Sequence, residues 1–153
     1  MNRRDWLQVT IAGLATSVLS RSTLALPRGT RLTVYKSATC GCCANWVEYM
    51  KTNGFDVDAH DVGDDVLEQA KASAGVPQQL RSCHVALANG YAFEGHVPAD
   101  LVKKVVAGKP KLLGLAVPGM PAGSPGMEMG GRKDKYDVMA FDRSGKGWVY
   151  AAR

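Results

Sequence analysis

Residues 31–54 of the chain, RLTVYKSATCGCCANWVEYMKTNG, decide its fold. The β-prone run at 31–36 predicts a strand, and turn-forming residues follow it directly. Apolar residues then recur at helical spacing as far as Asn53-Gly54, which supplies a stop. The helix is therefore expected to begin on or just after Cys40-Gly41-Cys42-Cys43, so that the cysteines lie at a helix N-terminus.

The downstream sequence continues to alternate strand and helix signals. Residues 55–60 alternate apolar and polar side chains and predict a second strand beside the first. Asn89-Gly90, a dipeptide favoured in tight turns, predicts a β-hairpin. The other predicted elements are a helix at 64–74, hairpin strands at 83–88 and 91–94, and a helix at 98–108 with Pro98 in its first turn.

This order of elements predicts an α/β fold of thioredoxin-like type, with a mixed sheet and flanking helices. Residues 31–153 are expected to form one domain that closes with a β-hairpin at 136–151. Residues 114–131 are rich in Gly, Pro and Met, and no regular element is expected there.

The composition fits a single compact domain with a short appendage. The chain has 153 residues, 46% of them hydrophobic, which is enough to bury a core. Its formal net charge is +5, but Lys and Arg are scattered without aromatic interleaving, so binding to nucleic acid is not supported. There is no phosphate-binding glycine loop, nucleophilic serine motif or carboxylate pair suited to acid-base catalysis.

The first 25 residues predict an export signal. Arg3-Arg4 precede a short apolar stretch at 11–19, and small residues follow at 23–25. The run at 2–7 resembles a twin-arginine signal, and an ordinary secretory signal that carries two arginines is the alternative. The apolar stretch is too short for a stable membrane anchor. Both routes predict that the mature chain is periplasmic.

The four cysteines are concentrated in two places. Three lie in Cys40-Gly41-Cys42-Cys43, and the fourth lies in Ser82-Cys83-His84. This spacing predicts a chemical site and is unlike a dispersed disulfide framework. A helix N-terminus favours the thiolate form of the first cluster. In a thioredoxin-like fold the segment before the third strand packs against this loop, so the two clusters are expected to meet.

The donor atoms predict a soft metal ion. Thiolates and imidazole suit Cu(I) best and Zn(II) next. Because Cys42 and Cys43 are adjacent, their side chains are expected to diverge, so that the loop sulfurs bridge several ions instead of converging on one. The alternative is a disulfide between Cys40 and Cys43, which form a Cys-x-x-Cys motif. That interpretation leaves Cys42 and Cys83 without a role.

Histidines and methionines extend the candidate site. His84 adjoins Cys83 and is the first imidazole candidate, while His96 precedes a predicted helix and could face the same site. A plain structural role is the alternative for each. Met120 and Met127 lie in the Gly/Pro-rich loop and are candidate Cu(I) ligands, the alternative being a flexible surface loop.

Four spaced motifs carry a family resemblance: TCGCC at 39–43, SCH at 82–84, EGHVP at 94–98 and GLAVPGMPAGSPGME at 114–128. Together they resemble the CopG-type periplasmic copper-resistance family over about residues 32–150. The resemblance implies a thioredoxin-like fold, copper binding and a role in surviving excess copper. The ligands that it implies are Cys40, Cys42, Cys43 and Cys83, with His84, His96, Met120 and Met127 as neighbours.

The sequence thus favours a periplasmic protein that sequesters or handles Cu(I), with metal ions and other periplasmic copper-handling proteins as its partners. A thiol-disulfide oxidoreductase that uses Cys40 and Cys43 is the second interpretation. A zinc-stabilised structural module is the third, and its closed tetrahedral site would leave the methionine loop unexplained.

Overall fold

The computed structural model describes residues 29–128 and 130–153. The export signal predicted at 1–25 lies outside the described residues. Within the described ranges, no helix has the length and apolar character needed to cross a membrane.

The described residues form a mixed α/β fold of seven strands and three α-helices. Parallel strand pairs need a crossover connection, and helices supply it here. The elements, in chain order, are β1 (Arg31–Lys36), α1 (Gly41–Thr52), β2 (Asp56–Asp61), α2 (Asp64–Ser73), a 3₁₀ turn (Gln78–Leu80), β3 (His84–Ala88), β4 (Tyr91–Gly95), α3 (Ala99–Gly108), β5 (Gly114–Val117), β6 (Asp137–Phe141) and β7 (Gly147–Ala152).

A single sheet with the strand order β2-β1-β3-β4-β5-β6-β7 organises the molecule. The β1–β2 and β4–β5 pairs are parallel, and the other neighbours are antiparallel. Lys36 at the end of β1 pairs with His84 at the start of β3. Because the two strands run in opposite directions, the loop after β1 and the segment before β3 meet at one end of the sheet.

The two faces of the sheet are covered unequally. Helices α1 and α3 pack on one face, where Trp46, Met50 and Phe93 are fully buried in the larger core. Helix α2 packs on the other face, where Leu67 and Val85 belong to a smaller core. Burial of aromatic and aliphatic side chains on both faces is the main stabilising contribution to such a layered fold.

The strands and helices predicted from the sequence are confirmed to within a few residues at their ends. The expectation of no regular element at 114–131 is wrong at its start, because Gly114–Val117 forms strand β5 between β4 and β6. All four residues of β5 are buried, as expected of a central strand that is covered on both faces. Its brevity and the glycine-rich sequence around it conceal it from local pattern analysis.

Candidate metal centre

Cys40 caps helix α1. Its backbone is extended, with φ −80° and ψ 94°, and its sulfur accepts a hydrogen bond from the backbone N–H of Cys43 at 3.3 Å. The first turn of a helix leaves amide groups without partners, and a capping side chain satisfies one of them. The sulfur of Cys40 therefore lies at the positive end of the helix dipole.

The sulfur atoms of the first motif converge. Cys40 and Cys43 form a disulfide, and the Sγ atom of Cys42 lies 3.5 Å from that of Cys40. Together with Cys83, all four Sγ atoms lie within 4.8 Å of one another. The expectation that the loop sulfurs diverge is therefore wrong. Cys40 precedes the helix, so its side chain turns back over the first turn instead of following the helical spacing.

Cys83 lies beside this group, directly before β3. Its carbonyl oxygen is 3.8 Å from the Sγ atom of Cys43. The β1–β3 pairing brings about this contact, since the loop that carries the first three cysteines follows β1. The prediction that the two cysteine clusters meet in space is confirmed.

Two histidines also lie close to the sulfur of Cys83. The Nδ1 atom of His84 is 3.2 Å from Cys83 Sγ, and the Nε2 atom of His96 is 3.1 Å from it. Both imidazoles are fully buried. Cys83, His84 and His96 form a second group whose candidate ligand atoms lie within 4.8 Å of one another. Cys83 therefore belongs to an all-sulfur group and to a sulfur-nitrogen group.

A backbone carbonyl orients His96. The Nδ1 atom lies 2.7 Å from the carbonyl oxygen of Pro125, which can only accept a hydrogen bond. We assign the proton to Nδ1 on this geometry, so that the lone pair of Nε2 points to Cys83 Sγ. A histidine that ligates a metal is commonly held in this way by a second hydrogen bond from its other nitrogen.

Packing orients His84. Its ring lies against the indole of Trp46, with centroids 4.5 Å apart, and the Trp46 indole N–H donates to the carbonyl oxygen of Val97. The Nε2 atom of His84 has no hydrogen-bond partner among the described residues. A buried polar atom without a hydrogen-bond partner costs folding free energy. Such atoms are rare in native proteins, and a functional role is one explanation for them.

The loop after β5 covers the cysteine-bearing helix. Gly126 has φ +85°, and a Cβ atom there would lie 2.8 Å from the carbonyl oxygen of Cys42 and from the backbone N of Trp46. Met127 follows this contact and is half-buried, whereas the side chain of Met120 is 44% exposed. Met127 therefore directly follows the residue that contacts α1, whereas Met120 faces solvent.

Comparison with known proteins bears on this site. The family model "Protein of unknown function, DUF411" matches residues 80–127, a range that includes Cys83, His84 and His96. Two solved structures, described as copper resistance protein CopG in forms 1 and 2, are each 42% identical over 82% of this chain and 98% of their own. Their TM-scores are 0.76 and 0.75. This chain belongs to the CopG family. A comparison with curated protein sequences finds no match.

Burial favours the neutral forms of the Cys83 thiol and of the His84 and His96 imidazoles in this CopG family member. It raises the pKa of Cys83 to about 12, and the neighbouring Cys42 adds to the effect. Burial also lowers the pKa of His84 well below its usual value, with a smaller contribution from His96, and lowers the pKa of His96. Neutral imidazoles are ready to bind a metal ion, whereas the thiol must first lose its proton.

Sequence analysis missed the charged residues behind Cys83. Lys71 on α2 and Glu94 on β4 have side chains that are 3% and 0% exposed, and they lie 3.5 Å apart. Neither residue stands in a pattern that distinguishes it from a solvent-facing charge. His60 on the edge strand β2 is exposed and stacks on Tyr35.

Proposed function

We propose that this CopG family member binds Cu(I) in copper resistance and that the thiolate of Cys83 is shared between two metal positions. The observation that carries the proposal is the double membership of Cys83 Sγ in the all-sulfur and the sulfur-nitrogen groups. A thiolate has several lone pairs and can bridge ions that sit on its two sides. The two groups together therefore favour more than one bound ion.

Copper is the metal that these donors favour. Thiolate and imidazole ligands suit Cu(I) better than hard cations, which prefer carboxylate and carbonyl oxygen. The two solved relatives carry the name copper resistance protein. Zn(II) is the competing ion, because it also accepts sulfur and nitrogen ligands.

Metal binding by all four sulfurs requires reduction of the Cys40–Cys43 disulfide. Two electrons and two protons from a thiol reductant convert it into two thiols, and metal ions then displace the thiol protons. Uptake of Cu(I) should therefore depend on the redox state of this pair.

A comparison of the two free cysteines tests the proposal. Cys83→Ser removes a donor from both groups, whereas Cys42→Ser removes one from the all-sulfur group alone. We expect Cys83→Ser to lower both the number of Cu(I) ions bound and their affinity, and Cys42→Ser to preserve the sulfur-nitrogen position. The measurement is an anaerobic Cu(I) titration of the reduced proteins against a competing chelator. Wild-type stoichiometry and affinity in Cys83→Ser would exclude the shared thiolate.

The methionines are proposed as weaker neighbours of the site. A thioether brings no charge to balance the metal, and binding must first order its side chain. Met120→Leu and Met127→Leu should therefore cost less Cu(I) affinity than Cys83→Ser in the same titration. An equal loss would assign the methionines a direct and dominant role.

We also propose that the chain is exported to the periplasm and that its core is thioredoxin-like. The arginine pair and apolar stretch near the N-terminus support export, and the β1–α1–β2 crossover with cysteines at the start of α1 supports the fold assignment. Cell fractionation should find a shortened protein outside the cytoplasm. Full-length protein confined to the cytoplasm would contradict export.

The Cys40–Cys43 disulfide favours a second function, thiol-disulfide exchange. Exchange needs an accessible thiolate of suitable pKa, while Cys42 and Cys83 next to the pair would trap mixed disulfides. An insulin-reduction assay separates the two functions. Rapid turnover by wild type that survives the combined Cys42→Ser and Cys83→Ser substitutions would establish the exchange function.

A further inference from the structure

We propose that Lys71 and Glu94 are positioning residues, which form hydrogen bonds with the backbone of Ser82 from the far face of the sheet and thereby hold Cys83 between its two ligand groups. The ammonium group of Lys71 donates to the carbonyl oxygen of Ser82 at 2.6 Å. The backbone N–H of Ser82 donates to the Oε1 atom of Glu94 at 2.5 Å. This inference rests on the proposed sharing of Cys83.

Helix α2 holds the residues before Cys83 through two charged side chains, Glu68 and Lys71. Glu68 binds Lys71 at 3.0 Å and also accepts a hydrogen bond from Arg81 at 2.9 Å. The two residues before Cys83 are thus both tied to α2, on the side of the sheet opposite to α1. Behind them, a Cβ atom at Gly95 would lie 2.9 Å from the side chain of Ser82, so the segment is also closely packed.

Stability alone does not account for this buried ion pair. Taking two charges out of water costs free energy that their attraction often fails to return, and apolar replacements of such pairs are frequently neutral or stabilising. Glu94 adds to the cost, because its Oε2 atom has no partner among the described residues. What the pair does accomplish is to bond the N–H and the C=O of Ser82, which fixes the peptide units on both sides of that residue.

The consequence lies at Cys83. With Ser82 held, the sulfur of the next residue stays 3.2 Å from the nearer nitrogen of His84 and 3.1 Å from that of His96. Mutation of residues that orient a metal ligand without touching the metal commonly lowers metal affinity by about 10–100-fold.

Three variants separate positioning from stability. Lys71→Met leaves the carboxyl group of Glu94 uncompensated. The double variant Lys71→Met with Glu94→Gln removes both charges, keeps an acceptor for the Ser82 N–H, and still deprives the Ser82 carbonyl of its donor. We expect the double variant to regain folding stability without regaining Cu(I) affinity. Lys71→Arg, which keeps a charged donor, should retain more of the wild-type Cu(I) affinity than Lys71→Met does.

The matched control is Leu67→Ala. Leu67 is a buried residue of the same helix that leaves the bonds to Ser82 in place, and its truncation destabilises the protein by creating a cavity. In the competition titration, the double variant should lose about tenfold or more in Cu(I) affinity, while Leu67→Ala should bind as wild type does. Equal Cu(I) affinities in the double variant and in Leu67→Ala would overturn the proposal.

A second readout needs no metal. In the oxidised protein Cys42 and Cys83 are the free thiols of the site, and peptide mass spectrometry can follow their alkylation by iodoacetamide separately. Release of Ser82 should raise the alkylation rate of Cys83 about tenfold relative to that of Cys42 in the double variant, but not in Leu67→Ala. An unchanged ratio of the Cys83 and Cys42 alkylation rates in the double variant would contradict the positioning role of Lys71 and Glu94. If wild type bound no Cu(I), the proposed function would fail, and this ratio would still decide on the positioning residues.

Discussion

At the residue scale, the site depends on a few atoms whose neighbours fix both orientation and protonation. His96 is the clearest case, because the carbonyl oxygen of Pro125 holds its Nδ1 proton and directs Nε2 to the sulfur of Cys83. His60, in contrast, is exposed on the edge strand β2, where its Nε2 atom lies 3.4 Å from Oδ1 of Asp58. The two imidazoles have the same chemistry and different surroundings, so they make a matched pair.

His96→Ala should weaken Cu(I) binding, and His60→Ala should leave it unchanged. Residues that merely orient a ligand are commonly worth about 10–100-fold in affinity, so loss of a direct donor should cost at least about tenfold. The check is a Cu(I) competition titration of both variants under reducing conditions. A wild-type affinity in His96→Ala would remove this histidine from the ligand set.

At the element scale, the site is assembled where the start of α1, the segment before β3 and the loop after β5 come together. Gly126 is the contact point between that loop and α1, and its backbone φ of +85° suits glycine. Gly119 lies in the same loop with φ +78°, but a Cβ atom there would meet nothing within 4 Å. Comparison of the two glycines separates backbone strain from the contact itself.

Gly119→Ala should cost only the strain of a left-handed backbone, about 1–2 kcal/mol in free energy of unfolding. Gly126→Ala should cost that amount and about 1–3 kcal/mol more, because its Cβ atom forces the loop away from Cys42 and Trp46. Since the same loop supplies the carbonyl oxygen that holds His96, Cu(I) affinity should fall in Gly126→Ala alone. Chemical denaturation and the competition titration measure the two effects. Equal behaviour of the variants would mean that the loop contact is immaterial.

At the scale of the whole molecule, the two faces of the sheet carry different parts of the candidate site. The face under α1 and α3 carries most of the core, and His84 packs there against Trp46, while the face under α2 carries the buried pair of Lys71 and Glu94. Burial raises the pKa of Glu94 to about 7 from its usual value of 4.5. Between about pH 4.5 and 7 the folded protein therefore holds a proton that the unfolded chain has already released, and above that range Glu94 is ionised beside Lys71.

Glu94 should make the metal-free protein less stable as the pH rises. Its protonated form stabilises the fold fully below about pH 4.5, and this contribution is lost as the pH rises through about 7, for a change of about 3 kcal/mol. Glu94→Gln keeps an acceptor for the Ser82 N–H but cannot ionise. Urea denaturation of both proteins between pH 4.5 and 7.5 should show wild type losing stability relative to the variant. A constant difference across that range would contradict the prediction.

Local chemistry made the order of elements predictable. Helical spacing after Cys43, the Asn89-Gly90 turn and the β-prone runs each act within a few residues, and the structure confirms the elements that they predict. Strand β5 was not predicted, because it has only four residues and begins with glycine. Its pairing with β4 and β6 and its burial between them make this segment a strand.

The sequence by itself therefore determined the order of the strands and helices other than β5, and the concentration of thiols at a helix N-terminus. Only the tertiary structure decided that Cys83 lies between two ligand groups, that a loop carbonyl orients His96, and that Lys71 and Glu94 are buried behind the site. The physical reason is that the antiparallel pairing of β1 with β3 joins segments more than forty residues apart. Hydrophobic periodicity and capping act over a few residues and contain no information about such contacts.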